Sequence, residues 1–593
     1  MLESVKRLAL LFSRKNRFGF LVLLCLMFIG AILETLGVGA IPVFVSVIAL
    51  PEQMLKYPYL NPMLTFFDLT TAKQLLIYAG IGLILVFAVK NAYISFVYYL
   101  QARFTKNRQV DLGRRLFSLY LHAPYPFHLN RDSSELLRNV NQEVQRVIKG
   151  ILNPFQAIVM QGLVLRCVAA LLLITEPIIT IFAGIVLGGA SILFLKGLHA
   201  RTKRKGREAQ KERQRSLQAI NQGLGGIKEV LVSGNSRYFI DRFIESLQRM
   251  TAAEAFRQVA EKLSQPFLEC IIVLGILAVA FALLFMGRPL ETIAPTLALF
   301  GAALIRLKSC VNTIVASFTN FRYNAVAIHP IWNDIHALNQ KGPLNAGSVE
   351  VTKLRKAIVL ENIRYRYPGS ERLAVKNINL SILRGSSIAL VGPTGSGKTT
   401  LVDILLGLLK PETGRILADG RNIFENISTW HSRIGYVPQN IYLLNDSIKN
   451  NIAFGVADRE IDHQKLDKAL QSAQLETFVS ELPLGVDTVV GERGVRISGG
   501  QRQRIGIARA LYHNPEILIM DEATAALDNT TEEMLVRAID RMKKDRTIII
   551  IAHRLSTVKN CDRLYFMENG KITASGKYEE LMSACDAFRQ MAK

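Results

Sequence analysis

Ahead of residue 330 the chain carries six apolar stretches, at about 18–50, 74–102, 154–175, 178–200, 266–287 and 293–321. Each is long enough to cross a bilayer core, which takes about 20 residues. No other feature narrows the possible folds as far. Half of all residues are hydrophobic, too many for an ordinary soluble enzyme, and they are concentrated in this region. An even number of crossings puts both ends of the membrane part on one side. The links Thr175-Glu176-Pro177 and Gly287 to Glu291 are short and nearly neutral, whereas 103–149 and 196–262 are long and rich in Arg and Lys. Basic links stay in the cytoplasm, so a multi-pass protein of the cytoplasmic (inner) membrane is expected, with both termini cytoplasmic.

About 340 residues shared among six crossings leave roughly 55 each, or some 80 Å of helix, far more than a bilayer needs. The helices must therefore project well into the cytoplasm. His122-Ala123-Pro124-Tyr125-Pro126 interrupts one projecting pair, and Gly223 to Gly226 followed by Ser233-Gly234-Asn235 interrupts the next.

Beyond residue 350 the pattern changes. The apolar run Ser387 to Val391 leads into Gly392-Pro393-Thr394-Gly395-Ser396-Gly397-Lys398-Thr399-Thr400 and then a helical pattern. That is a strand, a glycine loop and a helix start, the arrangement a phosphate cradle requires. Gly392, Gly395 and Gly397 let backbone N–H groups turn toward an anion, the helix adds its positive end, and Lys398 reaches the outer phosphates. Thr399 offers a hydroxyl to Mg²⁺. Downstream, Ile517 to Met520 delivers Asp521 and Glu522 at a strand's C-terminal end, where ligands gather in open α/β sheets. Asp521 suits the metal's water shell, and Glu522 the polarisation of an attacking water. Between these two motifs Ser498-Gly499-Gly500-Gln501 opens a basic helix carrying Arg502, Arg504 and Arg509.

From about Ala357 to Thr573 these motifs resemble those of the ATP-binding cassette (ABC) family. Ile497-Ser498-Gly499-Gly500-Gln501 is similar to the family signature, with Ile in its first place. The resemblance implies an adenine-stacking role for Tyr367, a Q-loop at Gln439 with contact to Mg²⁺, a D-loop at Asp528 and a switch histidine at His553. Gly491-Glu492-Arg493-Gly494 is similar to the X-loop of exporters. The breaks in the cytoplasmic projections then correspond to coupling helices. In this family ATP lies between the phosphate loop of one cassette and the signature of another. One chain holds one cassette and six crossings, so a homodimer with two ATP sites follows most simply, with a heterodimer as the alternative. The implied activity is ATP hydrolysis coupled to transport.

The expected fold class is thus a six-helix exporter-type transmembrane domain, residues 1–338, a linker at 339–348, and an α/β P-loop cassette at 349–593. The net charge of +24, from 72 basic and 48 acidic residues, accompanies no nucleic-acid motif. Basic residues cluster in the cytoplasmic links and at Lys6-Arg7 and Arg14 to Arg17, where anionic lipid headgroups are the nearer partner. The apolar run after Arg17 is too long for a cleavable signal. Six cysteines without paired spacing indicate neither a disulfide framework nor a zinc site.

Charges inside the membrane are costly, about 2.5 to 3.5 kcal/mol each on insertion scales, and here Lys90, Arg166, Arg306 and Lys308 outnumber Glu34 and Glu269. Each also has a plainer reading as an ion pair or interfacial anchor. Arg306, Ser309, Thr313, Ser317 and Asn320 recur at helical intervals, placing a guanidinium on one polar stripe suited to a water-filled cavity. Lys308 falls on another face, suited to snorkelling or pairing with an acid. A cationic cavity fits an amphipathic anion. Phe28 to Thr35 and the Pro-rich segment from Pro51 to Pro62 are similar to the PglK-like flippases of lipid-linked oligosaccharides, which implies a pyrophosphate contact for Arg306. The alternatives are a lipid A, multidrug or peptide exporter, or an ATP-gated channel or regulatory ATPase.

Overall fold

The structure, a computed structural model, describes residues 6–7, 10, 14–49, 51–55, 70–175, 177–263, 265–266, 269–270, 273, 277, 281, 290–340, 353–491, 494–495, 497–522, 537, 540–543, 545–552 and 554–592. By packing, the chain divides into two units. The first comprises Met1–His122 and Arg131–Lys341, the second Ala123–Asn130 and Gly342–Lys593.

The first unit is helical: α1 (Arg14–Ala49), α2 (Ala72–Leu121), a continuous helical run α4 (Ser133–Thr175), α5 (Pro177–Gly225), α6 (Ile227–Ser233), α7 (Ser236–Lys262), α8 (Leu290–Asn324) and α9 (Ile328–Gln340). In lipid every backbone polar group must be satisfied within the protein, and long helices do so inside each segment. Four helices among the described residues are long and apolar enough to cross a membrane: Asn16–Ala49, Ala72–Leu121, Ser133–Thr175 and Leu297–Asn339. The expected span at 178–200 lies within α5. The one at 266–287 falls almost wholly outside the described residues, as do 56–69 and most of the expected linker.

Met27, Ala31, Val97, Met160, Val164, Phe300 and Ala303 form the buried seam joining α1, α2, α4 and α8. Phe18, Leu36, Ile84 and Leu85 point outward, as expected of helices solvated by hydrocarbon rather than water. The α2 projection ends where its sequence breaks: the N–H of His122 caps the helix on Ser118, and Pro124 opens the short helix α3 (Tyr125–Leu129), consistent with proline's fixed φ at a helix start. Likewise Gly226 separates α5 from α6, and Gly234, at φ 68°, ends α6 in the left-handed conformation that glycine adopts without strain. Two segments of α4, Asn139–Glu143 and Ile148–Leu152, are π-helical.

The second unit holds two sheets. One is antiparallel, in the order β2 (Leu373–Leu383), β1 (Ala357–Arg366), β4 (Thr413–Ala418), β5 (Arg421–Asn422). The other runs β10 (Lys571–Gly576), β9 (Arg563–Glu568), β3 (Ser387–Val391), β8 (Thr547–Ile551), β7 (Ile517–Asp521), β6 (Ile434–Val437), and is parallel except for β10. β3, β7 and β8 are buried along their whole length, so their sequences read as unbroken apolar runs. Two buried clusters lie against this sheet, one holding Leu401, Leu405 and Trp430, the other Ile505, Ala508 and Leu511. Tyr125, from α3, packs against the first of them.

Candidate functional site

The glycine loop connects β3 to α10 (Lys398–Leu405). Its glycines are positional. Gly392 sits at φ 148°, where a Cβ would collide with the carbonyl of Met567, and Gly397 at φ 99°, with a Cβ 2.6 Å from the carbonyl oxygen of Ala374. Gly397 is also the N-cap of α10 and makes no side-chain cap bond, which leaves the first-turn N–H groups to an anion. Lys398 is buried, and its ammonium donates to the carbonyl oxygens of Gly392 at 2.7 Å and Pro393 at 2.9 Å. Burial pushes its pKa down, against the pull of Glu522 and Asp521. The loop thus holds its cation by its own backbone, with both acids close enough to act on it.

Pro393, Thr394 and Gly395 form the exposed crest of the loop, and Ser396 is buried beneath it. Thr399 is exposed beside Lys398, with its hydroxyl available to a metal, whereas Thr400 is buried and shares a 3.0 Å hydrogen bond with the hydroxyl of Tyr367. Tyr367 is edge-on to Tyr365, with ring centroids 5.2 Å apart. These contacts fix the ring expected to meet adenine.

Across the sheet, Asp521 is buried at the end of β7. Glu522 follows at φ 50°, a left-handed conformation that is uncommon for any residue except glycine. Its N–H donates to Ile551 at 3.0 Å, and its carboxylate accepts from the Gln439 amide at 2.7 Å. Strained backbone of this kind clusters at functional sites, and here it sets the carboxylate against the Q-loop side chain. A carboxylate, an exposed threonine hydroxyl and an amide oxygen are oxygen donors of the kind Mg²⁺ accepts alongside phosphates, so Thr399, Asp521 and Gln439 fit such an ion.

Ser498 is the N-cap of α11 (Gly499–Tyr512). Its hydroxyl accepts from the Gln501 N–H at 3.1 Å, and the Gln501 amide oxygen accepts from the Ser498 N–H at 2.9 Å. Gln501 is therefore engaged in a capping box, while Ser498 and Gly499 stay exposed and Gly500 is half-buried. The arginines behind them face inward: Arg504 donates to the carbonyl of Gln474 at 3.0 Å, and Arg509 to those of Asn451 and Tyr442, each at 2.8 Å. The basic character of α11 thus anchors preceding segments of the chain. Asp528 and His553 lie outside the described residues.

Sequence reading passed over Asp403. Half-buried on α10, its carboxyl is raised to about 6, first by burial and then by the charge of Asp521. Such an acid binds its proton more tightly in the folded than in the unfolded chain, so stability falls as pH rises from about 4 to 6 and stays lowered above. In the nucleotide-free protein Asp403→Asn is therefore expected to raise Tm at pH 8, with a gain that shrinks toward pH 4. A gain of the same size at every pH would contradict this origin.

In the first unit, Arg306 of α8 pairs with Glu34 of α1 at 3.1 Å, and Lys90 of α2 approaches the other oxygen of the same carboxylate at 3.5 Å. Lys90 also lies 4.3 Å from the ring centre of Phe87. One buried acid thus faces two cations, and the Arg306 Nε has no acceptor among the described residues. Lys308 points away and binds Glu269 at 2.6 Å. An apolar cleft of about 850 Å³ runs between α1 and α2, with Lys90 among its lining residues together with Leu36, Val43, Tyr78, Leu83 and Val86.

Comparison with known proteins agrees with this anatomy. The "ABC transporter transmembrane region" family matches residues 19–290 and the "ABC transporter" family residues 375–525. An "ATP-dependent lipid A-core flippase" of Cupriavidus pinatubonensis is 30% identical, covering 82% of each chain. Another of the same name, from Alkalilimnicola ehrlichii, is 31% identical over 80% of each. The solved structure of a bacterial Atm1-family ABC exporter with ATP bound superposes with a TM-score of 0.78 at 22% identity, covering 95% of this chain and 97% of that one. The two halves, a helical membrane unit of exporter type and an ATP-hydrolysing cassette that drives transport, place the chain in the ABC transporter family.

Proposed function

We propose that the protein works as a homodimer in the cytoplasmic membrane, both termini inside, and moves an amphipathic anionic lipid outward at the expense of MgATP. The favoured substrate is a lipid-linked oligosaccharide with a polyprenyl pyrophosphate. The observation that carries this reading is the Lys90, Glu34 and Arg306 cluster, in which two cations share one acid beside an apolar cleft. Such a net positive charge within apolar helices repays its cost when an anion binds there, and the cleft suits a hydrocarbon tail. A lipid A type of glycolipid is the second reading, favoured by the names of the relatives; it is also an anionic lipid and meets the same charges.

At the cassette, Gly392 to Thr400 cradle the phosphates, with Lys398 on the outer ones. Tyr367 stacks on adenine, and Thr399, Asp521 and Gln439 hold Mg²⁺, which when bound neutralises phosphate charge. Glu522 polarises the attacking water. The Ser498 to Gln501 turn of a second copy closes over the same nucleotide, with Asp528 and His553 completing the site.

Transport into proteoliposomes tests the lipid assignment. With a polyprenyl pyrophosphate glycan, Arg306→Ala is expected to lower transport by roughly ten- to a hundredfold, the worth of a hydrogen bond to a charged group, and to lower ATP turnover far less. Transport equal to wild type would remove Arg306 from substrate recognition. Movement of lipid A but not of the glycan would select the second reading.

A further inference from the structure

A second site lies where α4, α5, α7 and α8 meet. Of the stripe that begins at Arg306, its last position, Asn320, lines this site; the cassette motifs do not touch it. A pocket of about 300 Å³ is lined by Arg146, Lys149, Arg213, Arg257 and Tyr323, with Glu254 the acid among its lining residues. Each arginine already has one carboxylate: Arg146 meets Glu143 at 3.2 Å, Arg213 meets Glu254 at 2.7 Å and Arg257 meets Glu261 at 2.6 Å. Lys149 has none among the described residues, so the cluster keeps a surplus positive charge.

Two polar atoms of the lining residues are closed to solvent and left unbonded. Tyr323 is 2% exposed and its hydroxyl has no hydrogen-bond partner among the described residues; nor has the Nη2 of Arg146. Buried polar groups in folded proteins are nearly always bonded, and each exception calls for an explanation such as an ion. Desolvation first, and then the charge of Arg146, push the pKa of Arg213 down, against the pull of Glu254 and Glu143.

The walls are held in place by unusual backbone. Lys149 and Gly150 reach the pocket from the π-helical segment Ile148–Leu152, and π turns within α-helices are frequent at functional sites. A Cβ on Gly150 would run into the side chain of Asn324, and one on Gly206 into the carbonyl of Tyr323. Close approach at both points brings the helices together around Tyr323.

Position identifies the ligand further. Lys149 precedes the apolar stretch 154–175 by a few residues and Tyr323 follows 293–321, so both stand within about 8 Å of helix rise from the hydrocarbon boundary, on the side of the basic links. Those two stand at headgroup depth, while Arg257 and Arg213 lie about 9 and 13 residues beyond the stretches 266–287 and 178–200, roughly 14 and 20 Å of helix rise, and carry the pocket on toward the basic links. We infer that this pocket binds a phosphate group, presented there by an anionic lipid before it crosses. Guanidinium groups match phosphate oxygens in geometry and charge, and the Tyr323 hydroxyl supplies a further donor. The loading role rests on the lipid-export reading above; the phosphate site does not.

The full-length protein in nanodiscs of zwitterionic lipid tests it, using tetradecyl phosphate, inorganic phosphate and tetradecyltrimethylammonium as probes and thermal shift as the readout. The cassettes also take phosphate, but contribute equally to every protein compared. Tyr323→Phe removes only the unbonded hydroxyl, so without probe its Tm is expected to equal or exceed that of wild type, because an unsatisfied buried group is costly. With tetradecyl phosphate its affinity is expected to fall roughly tenfold, or about 1.4 kcal/mol, and Arg213→Gln is expected to lose at least as much. The cationic probe should not distinguish the proteins. A loss seen with inorganic phosphate alone keeps the site and assigns it to a soluble phosphate. Equal affinity of wild type and both variants for both phosphates overturns the site. If the site binds but the wild-type protein moves no anionic lipid, the export reading fails and the site stands.

Discussion

Glu522→Gln is expected to lower ATP turnover by roughly two to four orders of magnitude, the usual worth of a positioned general base, while MgATP still binds. The substitution is nearly isosteric. A glutamine amide oxygen can still accept from Gln439, now 2.7 Å from the carboxylate, and the backbone N–H keeps its bond to Ile551. Neither the strained φ of 50° nor the packing of β7 should change, so Tm should stay near that of wild type. Only the ability to draw a proton from water is lost. Phosphate release measured on the reconstituted protein decides it: turnover within about threefold of wild type would mean that another group polarises the water.

Lys398→Ala should act one step earlier, at nucleotide binding. Its ammonium is already oriented by the carbonyls of Gly392 and Pro393 and approaches the Ser396 hydroxyl at 3.5 Å, so little ordering is left for the moment at which phosphate arrives. A hydrogen bond to a charged group contributes about 1.5 to 3 kcal/mol, so its loss should weaken ATP binding by roughly ten- to a hundredfold and leave no measurable hydrolysis. Lys398→Arg should fail to restore binding, because the buried site is shaped to a compact ammonium and not to a planar fork. Titration with a fluorescent ATP analogue gives the answer. Undiminished affinity in Lys398→Ala would take the lysine out of the phosphate site.

The nucleotide half was legible because its chemistry is local. Gly392 and Gly397 stand where φ is positive, and the turn they permit needs no distant partner to be inferred. The same is true of Ser498 and Gln501, whose spacing is that of a capping box. Local reading failed where the contact is remote. Arg502, Arg504 and Arg509 look from the sequence like a basic face, yet Arg504 and Arg509 spend their donors on carbonyls of the chain before α11. Asp403 carries no motif at all, and its shifted acidity appears only when β7 brings Asp521 near.

The membrane half divides in the same way. Apolar length and the imbalance of Arg and Lys among the links determined that this chain enters a bilayer, and fixed φ at Pro124 with the freedom of Gly226 and Gly234 determined where its projecting helices break. Spacing also set Arg306 and Lys308 on different faces of α8. What only the tertiary structure decided is which charges meet: that Glu34 sits between Lys90 and Arg306, that Lys308 takes Glu269, and that Tyr323 is buried with its hydroxyl unbonded beside three arginines. Helical periodicity fixes the direction of a side chain relative to its own axis, but the partner it finds depends on the packing of separate helices, which periodicity does not encode.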